Sequence, residues 1–313
     1  MAQTSSSPVV SVLIPAYNAQ PYIGDTLKSA LGQSFRSFEI IVVDDGSTDD
    51  TRAIAENFGR HGVVVLSQSN AGPAAARNRA LSRARGKFIA LLDSDDIWEP
   101  DCLQTTVQFL DQHPEVSIAF CDSRFFGETK FAGKTFQEVY PPCPPITFAK
   151  VAGCVSHVCL DAILRREVFD RIGGFDEALR AAEDFDLWLR ALHAGCRIEP
   201  LPRVLVRYRR HADSISAHST LADSAALQAL AKWRGRACLD TEEQEAVERT
   251  CSHMRFKLDV RYAVDHIHKG EFSLARAALR RACAYRPKWR YRAARLALVI
   301  APGMTRRAFR AIS

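Results

Sequence analysis

Asp93 and Asp95 stand two positions apart where the apolar run Phe88-Ile89-Ala90-Leu91-Leu92 gives out, with Ser94 between them. Carboxylates in this pattern offer the hard oxygen ligands that Mg2+ or Mn2+ takes. Mg2+ commonly keeps one or two protein carboxylates and completes its shell with phosphate and water, which suits a diphosphate-bearing substrate. A second acidic pair, Asp44-Asp45, ends another apolar run, and a third, Glu183-Asp184, opens an amphipathic stretch. Each has a plainer reading. Asp95 or Asp96 could cap the helix that begins near Pro100, and Ser47 or Thr48 the helix after Gly46. Glu183 and Asp184 could simply satisfy a helix dipole. Capping does not explain why carboxylates recur after several apolar runs, since like charges repel unless a cation or donor compensates them.

The elements that must position these residues read as an alternation. Apolar runs at 9–14, 39–43, 63–66, 88–92 and 116–121 predict strands. Amphipathic stretches at 22–33, 48–58, 73–85 and 100–112 predict helices. That order predicts an α/β fold, a Rossmann-like and mostly parallel sheet with helices on both faces. Ligands in such sheets bind beyond the C-terminal strand ends. Four successive strands deliver Pro15-Ala16-Tyr17-Asn18, then Asp44-Asp45, then Asn70, Gly72 and Arg77, then Asp93-Ser94-Asp95 to one edge. Residues 124–150, with Tyr140-Pro141-Pro142-Cys143-Pro144-Pro145, read as an excursion. A strand is expected at 158–164, helices at 166–172 and 185–194, and a strand at 204–208. Residues 220–313 read as four or five helices. Within them, 270–287 is similar to one helix of a tetratricopeptide-like hairpin, a single match where arrays need about three. The expected division is a flexible N-terminus at 1–8, a catalytic domain at 9–219 and a helical C-terminal region with a basic tail at 220–313.

Composition excludes other classes. Of 313 residues, 47% are hydrophobic and 25% charged, which rules out a chain disordered throughout. No apolar run reaches membrane-span length, and no secretory signal is expected at the N-terminus. Nine cysteines, an odd number with no C-x-x-C pair, suit a reducing compartment. Eleven Lys or Arg and no acid occur from Phe272 onward; with +6 for the whole chain, the rest is left at −5. Basic and aromatic residues interleave across 286–310, the composition of a segment that lies on an anionic membrane surface. No nucleic-acid module is recognised, and no nucleic-acid partner is expected.

The ordered motifs resemble the inverting family 2 glycosyltransferases, with their nucleotide-diphospho-sugar (GT-A) fold. The matching segments are Val10-Ser-Val-Leu-Ile-Pro-Ala-Tyr-Asn18, Ile41-Val-Val-Asp-Asp-Gly-Ser-Thr-Asp49, Asn70-x-Gly-x-x-x-Ala-Arg-Asn78 and Leu92-Asp-Ser-Asp-Asp96. Gly173-Gly-Phe-Asp-Glu177, Glu183-Asp-Phe-Asp-Leu-Trp-Leu-Arg190 and Tyr208-Arg-Arg-His211 follow in order. The resemblance covers about residues 8–218. It implies that Pro15, Ala16, Tyr17 and Asn18 border the nucleobase, and that Asp44 and Asp45 hold base and ribose. Gly72, Arg77, Asp93 and Ser94 would complete the nucleotide-sugar site. Asp95 and His211 would ligate Mg2+ or Mn2+, Asp184 would be the general base with Glu183 beside it, and His157 and Trp188 would reach the acceptor.

The implied reaction is transfer of a sugar from a nucleoside-diphosphate sugar, a UDP-sugar by default, to a hydroxyl of a glycan or lipid-linked acceptor. Surface polysaccharide synthesis at the cytoplasmic face of the membrane is the expected setting. The alternative is a haloacid-dehalogenase-like phosphohydrolase with Asp93 as nucleophile, which leaves Asp44-Asp45 and Glu183-Asp184 unexplained. A nucleotidyltransferase would need a Gly-rich signature after the first strand, and a catalytically dead binding module would lack a base or a metal ligand; neither condition holds.

Overall fold

The structure is a computed structural model that describes residues 7–214, 219–286 and 289–300. The first strand, β1 (Val10–Ala16), is buried at all seven positions, as a strand covered on both faces must be. It runs two residues beyond the expected end, so Pro15 and Ala16 lie on the strand rather than after it. Then come α1 (Ile23–Leu31), β2 (Phe38–Asp44), α2 (Thr51–Asn57), β3 (Val63–Ser67), α3 (Pro73–Arg83) and β4 (Phe88–Leu91). Helix α1 buries Ile23, Thr26, Leu27 and Ala30, the i, i+3, i+4, i+7 stripe that fixes one face against the core. Strands β3, β2, β1 and β4 are adjacent in that order and parallel. The register pairs Ala16 with Asp44 and Asp44 with Ser67, so three strands end level and their following turns meet.

The other half of the sheet departs from simple alternation. Next come β5 (Ile97–Trp98), α4 (Cys102–Gln112), β6 (Ile118–Gly127), α5 (Phe136–Val139), α6 (Phe148–Ala152) and β7 (Ala162–Arg165). They are followed by α7 (Arg166–Ile172), α8 (Glu183–His193) and β8 (Ile198–Arg210). The eight strands run β3-β2-β1-β4-β7-β6-β8-β5. Strand β7 is antiparallel to both β4 and β6, β6 is parallel to β8, and β5 is antiparallel to β8. Strands β6 and β8 are longer than the sequence suggests, and the two-residue β5 carries no periodicity to be read at all. Beyond Cys121 the pairing of β6 with β8 passes through register shifts on either side of Asp122 and continues to Gly127 and Arg210. The excursion after residue 124 therefore begins as strand and then holds the short helices α5 and α6.

Contacts divide the chain into two units, Met1–Ala217 and His218–Ser313. The second holds, among the described residues, α9 (Ser219–Ala231), α10 (Thr241–Lys269), α11 (Phe272–Tyr285) and α12 (Trp289–Ile300). Asp240 and Glu243 form a capping box at the start of α10, and left-handed Gly270 ends it. Ala263 and Ile267 pack on Ala275, Ala278, Leu279 and Leu298. No helix among the described residues is long and apolar enough to cross a membrane. The basic segment 286–310 lies partly outside the described residues. All nine cysteines are free thiols.

Candidate active site

The turns after β1 and β2 lock together. Left-handed Asn18 accepts the Thr48 amide through Oδ1 at 2.8 Å, and its own amide donates to Ser47 Oγ at 3.0 Å. Gly46 has φ +76°, and a Cβ there would stand 2.9 Å from the Asn70 amide nitrogen, so the two loops approach backbone to backbone. Asp45 is buried and accepts three bonds of 2.8 Å, from Gln68 Nε2 and the amides of Ala71 and Gly72. Its carboxylate is thus spent on shaping the 68–72 loop. Asp44 is also buried, but among the described residues its carboxylate accepts only a 3.3 Å bond from the Ser47 amide. Tyr17 is 50% exposed at the rim of this turn, and Ala16 is buried beneath it.

Arg77, on α3, is 2% exposed. One terminal nitrogen donates to Asp93 Oδ1 at 2.5 Å and the other to Glu183 Oε1, and its guanidinium lies 5.6 Å from the Phe175 ring centroid. This cation joins the end of β4 to the start of α8. Burial alone would lower its pKa, but the two carboxylates raise it. The guanidinium is therefore a fixed charge held inside the protein, with both terminal nitrogens in use.

Asp93, Asp95 and Asp96 each place a carboxylate oxygen so that the three lie within 4.8 Å of one another. His211, just past β8, brings Nε2 to 2.9 Å from Asp95 Oδ2, and its Nδ1 is buried with no hydrogen-bond partner among the described residues. Two atoms bound cis to one cation at about 2.1 Å stand roughly 3 Å apart, so this spacing and the oxygen-rich donor set fit a hard divalent ion. Asp96 accepts the Arg209 amide at 2.7 Å. Behind it, Asp161 on the approach to β7 is buried with Oδ1 unpartnered, and burial pushes its pKa up to about 8. Burial likewise pushes Asp93 up to about 6, against the opposing Arg77 charge, and Asp96 well above the usual range. These shifts express carboxylates crowded out of water with too little positive charge.

At the head of α8, Ala182 is left-handed at φ 55°, and the chain turns from it into Glu183 and Asp184. Glu183 is spent on Arg77. Asp184 Oδ1 accepts the Phe185 amide at 2.7 Å, and Oδ2 has no partner among the described residues. Burial, then the Glu183 charge, push Asp184 up to about 7 despite the helix N-terminus and Arg77. Asp184 keeps a carboxylate oxygen for a ligand and a pKa suited to taking a proton near neutrality.

Two acceptor-side expectations separate here. Trp188 is 2% exposed, packed into the core beside Leu187 and Leu189 of α8, and offers no surface to a ligand. His157 is half-buried, stacked 4.8 Å from the Tyr140 ring, with its pKa lowered by burial. The sequence reading passed over Asp161, Tyr22 and Arg209. Asp161 left one signal, a lone carboxylate inside the apolar run Val158-Cys-Leu-Asp-Ala-Ile-Leu164. Arg209 lay within the Tyr208-Arg-Arg-His211 motif without a role of its own, and Tyr22 left no signal.

The family model for glycosyl transferase family 2 matches residues 11–173. TuaG of Bacillus subtilis, a glycosyltransferase whose name assigns it to teichuronic acid biosynthesis, is 35% identical over 222 residues, 69% of this chain and 84% of its own. The Escherichia coli UDP-Glc:alpha-D-GlcNAc-diphosphoundecaprenol beta-1,3-glucosyltransferase WfaP is 33% identical over 211 residues, 67% of this chain and 80% of its own. S. aureus TarS residues 1–349, solved with UDP-GlcNAc, superposes with a TM-score of 0.64 at 20% identity, over 87% of this chain and 81% of that one. That likeness shows the fold, GT-A.

Proposed function

The chain belongs to glycosyl transferase family 2 and is a glycosyltransferase, and from that premise we propose a metal-dependent, inverting transfer from a nucleoside-diphosphate sugar. A UDP-sugar is the favoured donor, and a hydroxyl of a glycan or lipid-linked acceptor receives the sugar. WfaP, by name, uses UDP-Glc and a diphosphoundecaprenol acceptor, and TarS binds UDP-GlcNAc. The observation that carries the reading is the meeting of Asp93, Asp95 and Asp96 with His211 from the far end of β8.

The roles follow from what each side chain has left to give. Asp44 keeps acceptor capacity for the base or ribose, and Asp45 holds the loop that closes over it. Asp95 and His211, with Asp93 or Asp96, would hold Mg2+ or Mn2+, which when bound neutralises negative charge developing on the leaving diphosphate. Asp184 takes the proton of the acceptor hydroxyl as its oxygen attacks the anomeric carbon. A single in-line displacement inverts that carbon and needs no covalent intermediate. Arg77 fixes the Glu183 and Asp93 carboxylates in place on either side of the site. The phosphohydrolase reading gives no role to the buried Asp44 and Asp45 or to Asp184.

The basic segment 286–310 would hold the enzyme against an anionic inner leaflet, near a lipid-linked acceptor. A chain shortened after Arg286 should float less with anionic vesicles; equal flotation would remove this role. The donor is tested by calorimetric titration of UDP, dTDP and GDP, each with and without Mn2+. One nucleotide should bind, and only with the metal. No binding by any of them would overturn the reading.

A further inference from the structure

Tyr22, the residue that leads into α1, touches both arms of the chain that close the acidic cluster. Its ring centroid lies 4.5 Å from that of His211. The Arg209 guanidinium lies 4.9 Å from the same ring and 4.5 Å from the ring of Phe126 on β6, so it is held between two aromatic groups. From that position Arg209 Nε donates to the Asp95 carbonyl at 2.8 Å, and its amide donates to Asp96 Oδ1 at 2.7 Å. One turn further along α1, the Thr26 hydroxyl lies 2.9 Å from the Ser94 carbonyl and 2.8 Å from that of Asp96. The first turn of α1 therefore grips the 93–96 turn by its main chain and, through the Tyr22 ring, sets the two β8-end side chains that reach it. Among the described residues the His211 Nδ1 makes no hydrogen bond, so besides the Asp95 contact at Nε2 it is the Tyr22 ring that packs against the imidazole.

We propose that Tyr22 is a positioning residue for the cation site, fixing the imidazole of His211 and the guanidinium of Arg209 by stacking, so that Nε2 and the Asp95 carboxylate are presented together. The inference rests on the metal-binding reading of the cluster. Groups that orient metal ligands from outside the coordination shell commonly change affinity by about 10–100-fold when removed. A cation–π contact supplies the orienting force on the arginine side.

The test is calorimetric titration of Mn2+ into the full-length chain with UDP present, alongside the thermal unfolding midpoint of each variant. Tyr22→Phe and Tyr22→Trp keep a ring face and should bind Mn2+ within about 3-fold of the wild type. Tyr22→Leu fills the space without a π face and should weaken Mn2+ by about 10-fold or more. If Tyr22→Leu fails to fold, Tyr22→Met carries the same expectation. Wild-type affinity in a folded Leu or Met variant would overturn the proposal, as would equal weakening in the Trp and Leu variants. No Mn2+ binding by the wild type would instead remove the metal site itself, a result visible without any variant.

Discussion

Arg77 and Glu183, 106 residues apart in the chain, form an ion pair buried between α3 and α8. The pair engages Glu183 Oε1, whereas the neighbouring Asp184 accepts only the Phe185 amide among the described residues. Removing the cation leaves the buried Glu183 and the half-buried Asp93 as uncompensated charges. Arg77→Met should therefore cost about 3–5 kcal/mol of stability, read as a lowered urea midpoint with an unchanged slope. A midpoint within error of the wild type would show that the guanidinium is not the clamp.

Asp184→Asn should bind UDP with Mn2+ within about 2-fold of the wild type and lose transfer by about 10²–10⁴-fold, the usual contribution of a positioned base. Glu183→Gln should behave differently, losing stability along with activity, because its partner is Arg77. Equal loss of donor binding and transfer in Asp184→Asn would make Asp184 a structural residue.

The pH dependence has a defined sign. Asp184 is pushed up to about 7, so it is protonated and idle as a base below that value and competent above it. The transfer rate should fall along an acid limb centred near pH 7, and a rate flat from pH 5.5 to 8 would exclude Asp184 as the base. For stability the sign is opposite. The folded state holds this proton to higher pH than the unfolded chain, so its contribution is full below about pH 4 and is lost as pH rises through about 7. Asp184→Asn should accordingly gain stability over the wild type as pH goes from 5 to 8.

Asp44 and Asp45 should separate by substitution. Asp45→Asn sets an amide N–H2 among three donors and should cost about 1–3 kcal/mol of stability. Asp44→Asn should leave thermal unfolding near the wild type and weaken UDP binding about 10-fold, by losing an acceptor. The reverse pattern would exchange their roles.

Asp95→Asn should abolish the stimulation of UDP binding by Mn2+, and chelation of the metal should do the same to the wild type. Metal-independent UDP binding at full strength in the variant would take Asp95 out of the cation site.

The sequence by itself determined the alternation of β1 to β4, the acidic motifs at the ends of β2 and β4, and the turn to helices after residue 219. These rest on local periodicity and on where an apolar run stops, which neighbouring residues settle among themselves. Tertiary structure alone decided that Asp45 faces inward to a loop, that Arg77 is enclosed by Asp93 and Glu183, and that Trp188 is core. It alone brought Asp161 behind Asp96 and set Tyr22 against His211. The antiparallel β7 and the two-residue β5 also belong here, because their pairing partners lie far away in the chain. A sequence states which groups a residue carries, but what those groups have left for a ligand depends on partners that only the folded chain brings within hydrogen-bonding distance.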